Sequence, residues 1–397
     1  MTFDFDQIIE RRGSHSAKWD MLASYCGVDA EDGIAMWVAD MDFRAPQSVT
    51  QALKVEIERG VHGYYADDNG WRRAIQSWMA QRHGWSIDVD WLTPTAGVIS
   101  AIGLILQAFS APGDSVVLFS PVYPGFTGIV EANRRTPFYS RMVLNQGRYE
   151  MDLVALEQEL PDNAKVALFC NPHNPGGRVW SVEEQRQLGA FCERHGLLLV
   201  SDEIHHDLIF PGHKHVPFAV AMPELSHRLI TCASPTKTFN LAGAHLAEAI
   251  IPDTGLREKF VASAGAAGLL HHNLFGMIAA EAAYAGGGPW LDALLVYLVG
   301  NRDLFDARLA REIPAARSMP LQSTYLSWVD FSGTGLTPDG IKDACTKGAR
   351  IGINPGPAFG PGGEHFIRFN FALPRAQLNT AIDRLAAAFS GKMGEDQ

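Results

Sequence analysis

Four short, continuously apolar runs constrain this chain most: residues 115–119 (SVVLF), 165–170 (KVALFC), 197–201 (LLLVS) and 228–233 (RLITCA). None alternates polar with apolar residues, so each reads as a strand covered on both faces. Between the second and third lies an amphipathic stretch, residues 181–195. Ser181 and Glu184 have the spacing of a capping box, and Leu188, Phe191 and Cys192 recur at helical intervals. Strand, helix and strand in alternation predict an α/β fold with a mostly parallel central sheet. In such sheets ligands bind at the carboxyl ends of the strands.

Three polar clusters fall at those ends: residues 171–174 (NPHN), 202–205 (DEIH) and 234–237 (SPTK). An asparagine, a carboxylate and a lysine, each after a buried strand, are the parts that hold pyridoxal 5′-phosphate. Lys237 would link to the cofactor and, once displaced by substrate, move the Cα proton. The bland alternative is a surface lysine, against which the preceding apolar strand and the SxxK spacing count. Asp202 would face the pyridine nitrogen and favour its cationic form. Glu203 would point to the opposite side of an extended chain. Asp202 could instead cap a helix. His205 and Asn174 could both reach the cofactor's phenolic oxygen. The run DEIHHD, with His213 and His215 beyond it, also admits a metal. No H-x-x-x-H spacing supports one, and no metal is expected.

A phosphate needs free backbone N–H groups at a helix start. Residues 95–100 (TAGVIS) precede a helical run through Phe109, and Gly97 permits close backbone approach. Ser234 adds a hydroxyl. Arg368, inside the apolar run FIRFN, offers a planar bidentate donor to a substrate carboxylate. A structural ion pair is its alternative. Tyr123 could stack on a cofactor ring or simply pack its proline-flanked turn. Tyr64 has no role derivable from the residues around it.

The 397 residues carry a net charge of −11, which argues against a nucleic-acid partner. Five scattered cysteines form no CxxC pair, so neither a disulfide framework nor a zinc knuckle is expected, and a reducing compartment fits. The acidic N-terminus has no signal-peptide pattern, and no apolar run is long enough to cross a membrane. The expectation is a cytoplasmic protein with no membrane partner. Near residue 290 the character changes. A strand at 323–331, a Gly/Pro-rich turn at 354–363, a strand at 365–371 and a helix at 375–390 read as a smaller α+β domain. Residues 391–397 read as a frayed tail.

The chain resembles fold-type I pyridoxal-phosphate enzymes of the aminotransferase class I/II superfamily. It looks most like the cystathionine β-lyase-like (MalY/PatB-type) C–S lyases. The likeness runs over nearly the whole length. It rests on residues 11–20 (RRGSHSAKWD), 36–46 (MWVADMDFRAP), 63–65 (GYY), 171–177 (NPHNPGG), 201–207 (SDEIHHD) and 235–243 (PTKTFNLAG). The KWD, WVADMDF and DEIH segments point to the lyase branch, because aminotransferases more often carry Tyr where His205 stands.

The resemblance implies that Lys237 is the Schiff-base lysine and Asp202 the pyridinium partner, with Asn174 and His205 near the phenolic oxygen. Ala96, Gly97, Val98 and Ser234 match phosphate positions, Tyr123 the ring-stacking position and Arg368 the carboxylate arginine. Tyr64 resembles the tyrosine that reaches the neighbouring subunit's phosphate, which implies a homodimer with shared active sites. Lys237, Tyr64 and Tyr123 are the implied catalytic residues. The implied domains are a large cofactor-binding unit, 46–289, and a small one built from 1–45 and 290–397.

The implied reaction is α,β-elimination from an S-substituted L-cysteine, giving a thiol, pyruvate and ammonia. An aminotransferase, or a cofactor-binding regulatory protein acting through a partner, are the alternatives. Two positions depart from the pattern: Gly176, where many relatives have Thr or Ser, and His245, where many have an arginine on the phosphate. The thiol side of the substrate is left open, with Trp37, Tyr123, Tyr325 and residues 354–363 as candidate lining.

Overall fold

The computed structural model describes residues 3–65 and 67–390. The tail at 391–397 lies outside the described residues. Seven strands form the central sheet: β1 (Leu92–Thr95), β2 (Ser115–Ser120), β3 (Thr136–Arg141), β4 (Ala164–Cys170), β5 (Leu198–Asp202), β6 (Leu229–Ala233) and β7 (Ala247–Ile250). Their spatial order is β1-β7-β6-β5-β4-β2-β3. The neighbours β3, β2, β4, β5 and β6 pair in parallel, and only β7 runs against its neighbours. The four apolar runs are β2, β4, β5 and β6, each shifted by a residue at most. Their side chains are buried on both faces, as the lack of alternation requires. One face packs on Ile102, Leu106, Phe126 and Phe260, the other on Trp180, Leu188, Phe191 and Phe218.

The helix Val182–His195 begins with a complete capping box between Ser181 and Glu184 and stops at Gly196 in the left-handed region. The helix Val98–Phe109 follows β1 directly. Its cap, Gly97, has φ +130°, a region open in practice only to glycine.

A second, antiparallel sheet has the order β8-β9-β11-β10, made of β8 (Arg317–Ser318), β9 (Leu326–Asp330), β10 (Asn354–Pro355) and β11 (Phe366–Asn370). The expected strands at 323–331 and 365–371 are therefore shorter than read. The helices Gly288–Glu312 and Arg375–Ser390 pack beside this sheet. The N-terminal segment joins the same region, since Ile34 and Ala35 pair with Ile351 and Gly352. Among the described residues no helix is long and apolar enough to cross a membrane.

Candidate active site

The carboxyl ends of β1, β2, β4, β5 and β6 converge on a cavity of about 310 Å³. Ala96, Gly97, Val98, Tyr123, Asn174, Asp202, His205, Lys237 and His245 all line it. Five separate stretches of sequence thus meet at one rim.

Lys237 stands on a four-residue helix, Pro235–Thr238, capped by Ser234. Its Nζ donates to the carbonyl of Ala39 at 2.7 Å. Burial brings this amine down to about 8, with Arg368 helping and Asp40 and Asp202 pulling the other way. A proton is therefore far easier to remove here than from a surface lysine.

Asp202 is the last residue of β5, one place earlier than the sequence suggested, and is only 5 % exposed. The register sets it between Cys170 of β4 and Cys232 of β6. Its carboxylate accepts from the amide of Ile204 at 3.0 Å. Burial pushes its carboxyl up to about 7, with a contribution from Glu203 and against the Ile204 amide. Such a group waits for a positive partner. It caps a turn rather than a helix. Glu203 does turn the other way: it accepts from Ser201, His215 and the Phe218 amide, each at 2.9 Å.

His205 is buried, and its Nδ1 has no partner among the described residues. Burial, with Lys237 and Arg368 close by, pulls it down to about 3, so the ring is neutral. An unmatched buried ring nitrogen beside a cavity is a group that a ligand can satisfy. Asn174 accepts from Arg368 at 3.0 Å through Oδ1, which leaves its amide nitrogen as the donor for a ligand.

Arg368 lies on β11 and is 4 % exposed. It also donates to the Trp37 carbonyl at 3.0 Å and to Asn354 at 2.6 Å, while its Nε has no partner among the described residues. Among the described residues no carboxylate is bonded to it, so the structural ion pair is not formed there. Burial lowers its pKa to about 10, and it stays charged at neutral pH.

The amides that open the helix Val98–Phe109 have no intrahelical acceptor and suit an anion. Ser234 is placed differently from expectation. Its hydroxyl donates to the Leu246 carbonyl at 2.7 Å and accepts from the Thr236 amide at 3.1 Å, and Thr236 rather than Ser234 lines the cavity. Tyr64 is also apart from the cavity, standing 99 % exposed.

Three features had no usable sequence signal. The stretch 37–42 acts as a strap whose carbonyls meet Arg368, Asn370, Lys237 and Tyr325. Its far end is held by a cluster in which Arg11 pairs with Asp40 and Asp42, and the fully buried Lys18 pairs with Asp42 at 2.8 Å. The Gly176 departure has a steric cause: a Cβ there would lie 2.8 Å from Nδ1 of His173 and 3.0 Å from Tyr149. His173 and Tyr149 occupy the space a Thr or Ser would need. Finally, His83 arrives from the helix Asn69–His83 to join His206 and Asp207. Asp207 accepts from Trp78 at 3.0 Å, His83 at 2.8 Å and Thr238 at 2.8 Å, and its Oδ2 lies 3.1 Å from Nε2 of His206, which makes no hydrogen bond among the described residues. Both its oxygens are thus spent on donors, and the trio is a clamp rather than a vacant ligand set.

A wider open cleft of about 900 Å³ runs past Arg11, Asp40, Asp42 and Trp290. Arg11 there is paired with Asp40 and Asp42, and the cleft does not lie at the strand ends that carry Lys237 and Asp202.

A family model described as aminotransferase class I and II matches residues 31–385. Cystathionine beta-lyase PatB of Bacillus subtilis (strain 168) is 42% identical over 388 residues, covering 98% of this chain and 100% of that protein. Two solved structures superpose over 98% of this chain and all of theirs. One is a PLP-bound putative aminotransferase from Clostridium difficile 630, with TM-score 0.95 and 34% identity. The other is cystalysin from Treponema denticola, which contains a pyridoxal 5′-phosphate cofactor, with TM-score 0.94 and 32% identity.

Proposed function

This chain belongs to the aminotransferase class I and II family, and we propose that within it the protein is a pyridoxal 5′-phosphate-dependent carbon–sulfur β-lyase of the cystathionine β-lyase type. The observation that carries the reading is the 42% identity to a cystathionine beta-lyase across 98% of the chain. The cavity supports it. Its residues fit the cofactor in chemistry: an amine at Lys237, a lone buried carboxylate at Asp202, an unmatched Nδ1 on His205 and a glycine-opened helix start at Gly97.

When bound, the cofactor supplies an aldehyde that links amines and a ring that withdraws electrons from the substrate's Cα. Lys237 would hold it. Asp202 would keep a cationic ring nitrogen opposite itself, which relieves the strain of its own burial. The amides of Gly97 and Val98 would bind the phosphate, Tyr123 would cover the ring, and Asn174 and His205 would meet the phenolic oxygen. Arg368 would grip the substrate carboxylate through two parallel hydrogen bonds. Nζ of Lys237 would take the Cα proton. The Cβ–S bond then breaks and sulfur leaves with the electron pair. The 2-aminoacrylate that remains is hydrolysed to pyruvate and ammonia.

The reading includes a homodimer in which Tyr64 completes the neighbouring site. Its support is that Tyr64 is exposed and lines a surface hollow together with the exposed Val55. Activity regained on mixing Lys237→Ala with Tyr64→Ala subunits tests it, and no regain would count against shared sites. The division into 46–289 and 1–45 with 290–397 is kept, supported by the pairing of Ile34–Ala35 with Ile351–Gly352. The reading also includes a cytoplasmic location, supported by five free cysteines.

L-cystathionine incubated with and without a 2-keto acid tests the reaction. Pyruvate and thiol released without an acceptor support the lyase. Amino transfer that needs the keto acid and releases no thiol would move the protein to the aminotransferases.

A further inference from the structure

Lys237 follows a strand of the central sheet and Arg368 lies in the second sheet, yet the proposed reaction needs their tips at a fixed spacing. One holds the substrate's carboxylate and the other faces the carbon beside it. The strap between them supplies two carbonyls. Trp37 accepts from Arg368 at 3.0 Å, and Ala39, which lines the cavity, accepts from Lys237 at 2.7 Å. Such a segment can turn these carbonyls away unless its other side is held.

Asn370 holds that other side. It lies two residues after Arg368 on β11, so both side chains leave the strand on one face. It is fully buried. Its Nδ2 donates to the carbonyls of Val38 at 2.7 Å and Asp40 at 2.5 Å, and its backbone amide donates to the carbonyl of Met36 at 2.8 Å. The carbonyls of 36, 38 and 40 therefore meet Asn370, while those of 37 and 39 meet Arg368 and Lys237. Oδ1 of Asn370 accepts from the Ala372 amide at 2.8 Å, which fixes the end of the side chain that faces the strap. An apolar residue in its place would leave two buried carbonyls without this donor.

We propose that Asn370 is a positioning residue for the reaction: by gripping the carbonyls of Val38 and Asp40 it keeps the Ala39 carbonyl on Nζ of Lys237 and the Trp37 carbonyl on Arg368. It touches neither substrate nor cofactor and acts through the strap. The inference rests on the reading of Lys237 as the group that moves the Cα proton. A clamp that only stabilises the fold has a built-in comparison. Asn301, equally buried on the helix Gly288–Glu312, donates through Nδ2 to the carbonyls of Phe371 at 3.0 Å and Leu373 at 2.8 Å. Those two carbonyls lie beyond the end of β11 and not on the strap.

Asn370→Leu and Asn301→Leu are compared with wild type as the full chain freed of cofactor. Short pulses of acetic anhydride at a series of pH values, read at Lys237 by mass spectrometry, give the pH at which its amine is half free. A carbonyl that accepts from an ammonium favours the charged form, so losing the Ala39 carbonyl should lower the midpoint in Asn370→Leu by about one pH unit. The other groups facing the amine, Asp40, Asp202, Arg368, His205 and Tyr325, are the same in all three proteins. Asn301→Leu should keep the wild-type midpoint even where urea unfolding shows an equal loss of stability. With cofactor restored, Asn370→Leu should lower kcat for pyruvate release from L-cystathionine by about tenfold, and Asn301→Leu should leave it unchanged. An unchanged midpoint in Asn370→Leu, or the same shift in both variants, would overturn the proposal. Should Asn370→Leu fail to fold, the smaller Asn370→Ser is read by the same two outcomes. If wild type forms no pyruvate, the lyase reading fails, while the Lys237 midpoint still decides the role of Asn370.

Discussion

Nζ of Lys237 and the phenolic hydroxyl of Tyr325 donate to one and the same oxygen, the carbonyl of Ala39, at 2.7 and 2.9 Å. A backbone carbonyl thereby sets where the free amine rests, and a buried tyrosine from the other sheet fixes the carbonyl. Tyr325→Phe keeps the packing and removes one donor. We expect kcat for thiol release to fall by about two- to tenfold, the worth of one hydrogen bond, with KM and cofactor retention unchanged. Steady-state pyruvate assays check this, and an unchanged kcat would mean that the amine is placed without Tyr325.

Arg368 is charged and buried, and among the described residues no carboxylate is bonded to it. Arg368→Ala should lower kcat/KM for S-substituted cysteines by roughly 10- to 100-fold, as expected for losing a hydrogen bond to a charged group worth 1.5–3 kcal/mol. Substrate analogues that lack the carboxylate should lose nothing further. A loss equal on both would show that the arginine supports the small sheet rather than the substrate.

The raised Asp202 carboxyl makes the apoprotein's stability depend on pH. Its folded pKa is about 7 against an ordinary value near 3.8. Below about pH 4 both states hold the proton, and between about 4 and 7 only the folded state does. Stability is therefore lost as pH rises through that window, by at most about 1.4 kcal/mol per unit. The lowered amine of Lys237 acts above this range, since its penalty is relieved only as pH rises past about 8. Asp202→Asn should flatten the profile between pH 5 and 7 and raise apoprotein stability at pH 7.5, while abolishing cofactor affinity. Urea titrations of apoprotein at several pH values test it, and a parallel profile in the variant would contradict it.

The Asp207 clamp ties Thr238, next to Lys237, to Trp78 and His83 of the helix Asn69–His83. Removing its carboxylate strands these three partners. Asp207→Leu should cost about 3–5 kcal/mol in chemical unfolding of the apoprotein, and Thr238→Val about 1–2 kcal/mol. A neutral Asp207→Leu would mean that the network is dispensable.

The sheet was legible because β2, β4, β5 and β6 are buried on both faces, which leaves unbroken apolar runs. The helix Val182–His195 was legible from its cap. The rim residues Asn174, Asp202 and Lys237 stood out because polar groups directly after buried strands face a common edge. What escaped has physical reasons. The Ala39 carbonyl belongs to the backbone, which carries no residue-specific signal. His83 meets Asp207 across 124 residues, so the clamp has no local spacing to read. Ser234 lies off the cavity because its hydroxyl caps its own helix and donates to the Leu246 carbonyl.

The most direct measurement follows thiol and pyruvate together from L-cystathionine, without a keto acid, using wild-type and Lys237→Ala protein supplied with pyridoxal 5′-phosphate. The account predicts equal amounts of the two products from wild type and neither from the variant. Products that persist in Lys237→Ala, or a wild-type protein that forms no pyruvate, would contradict it.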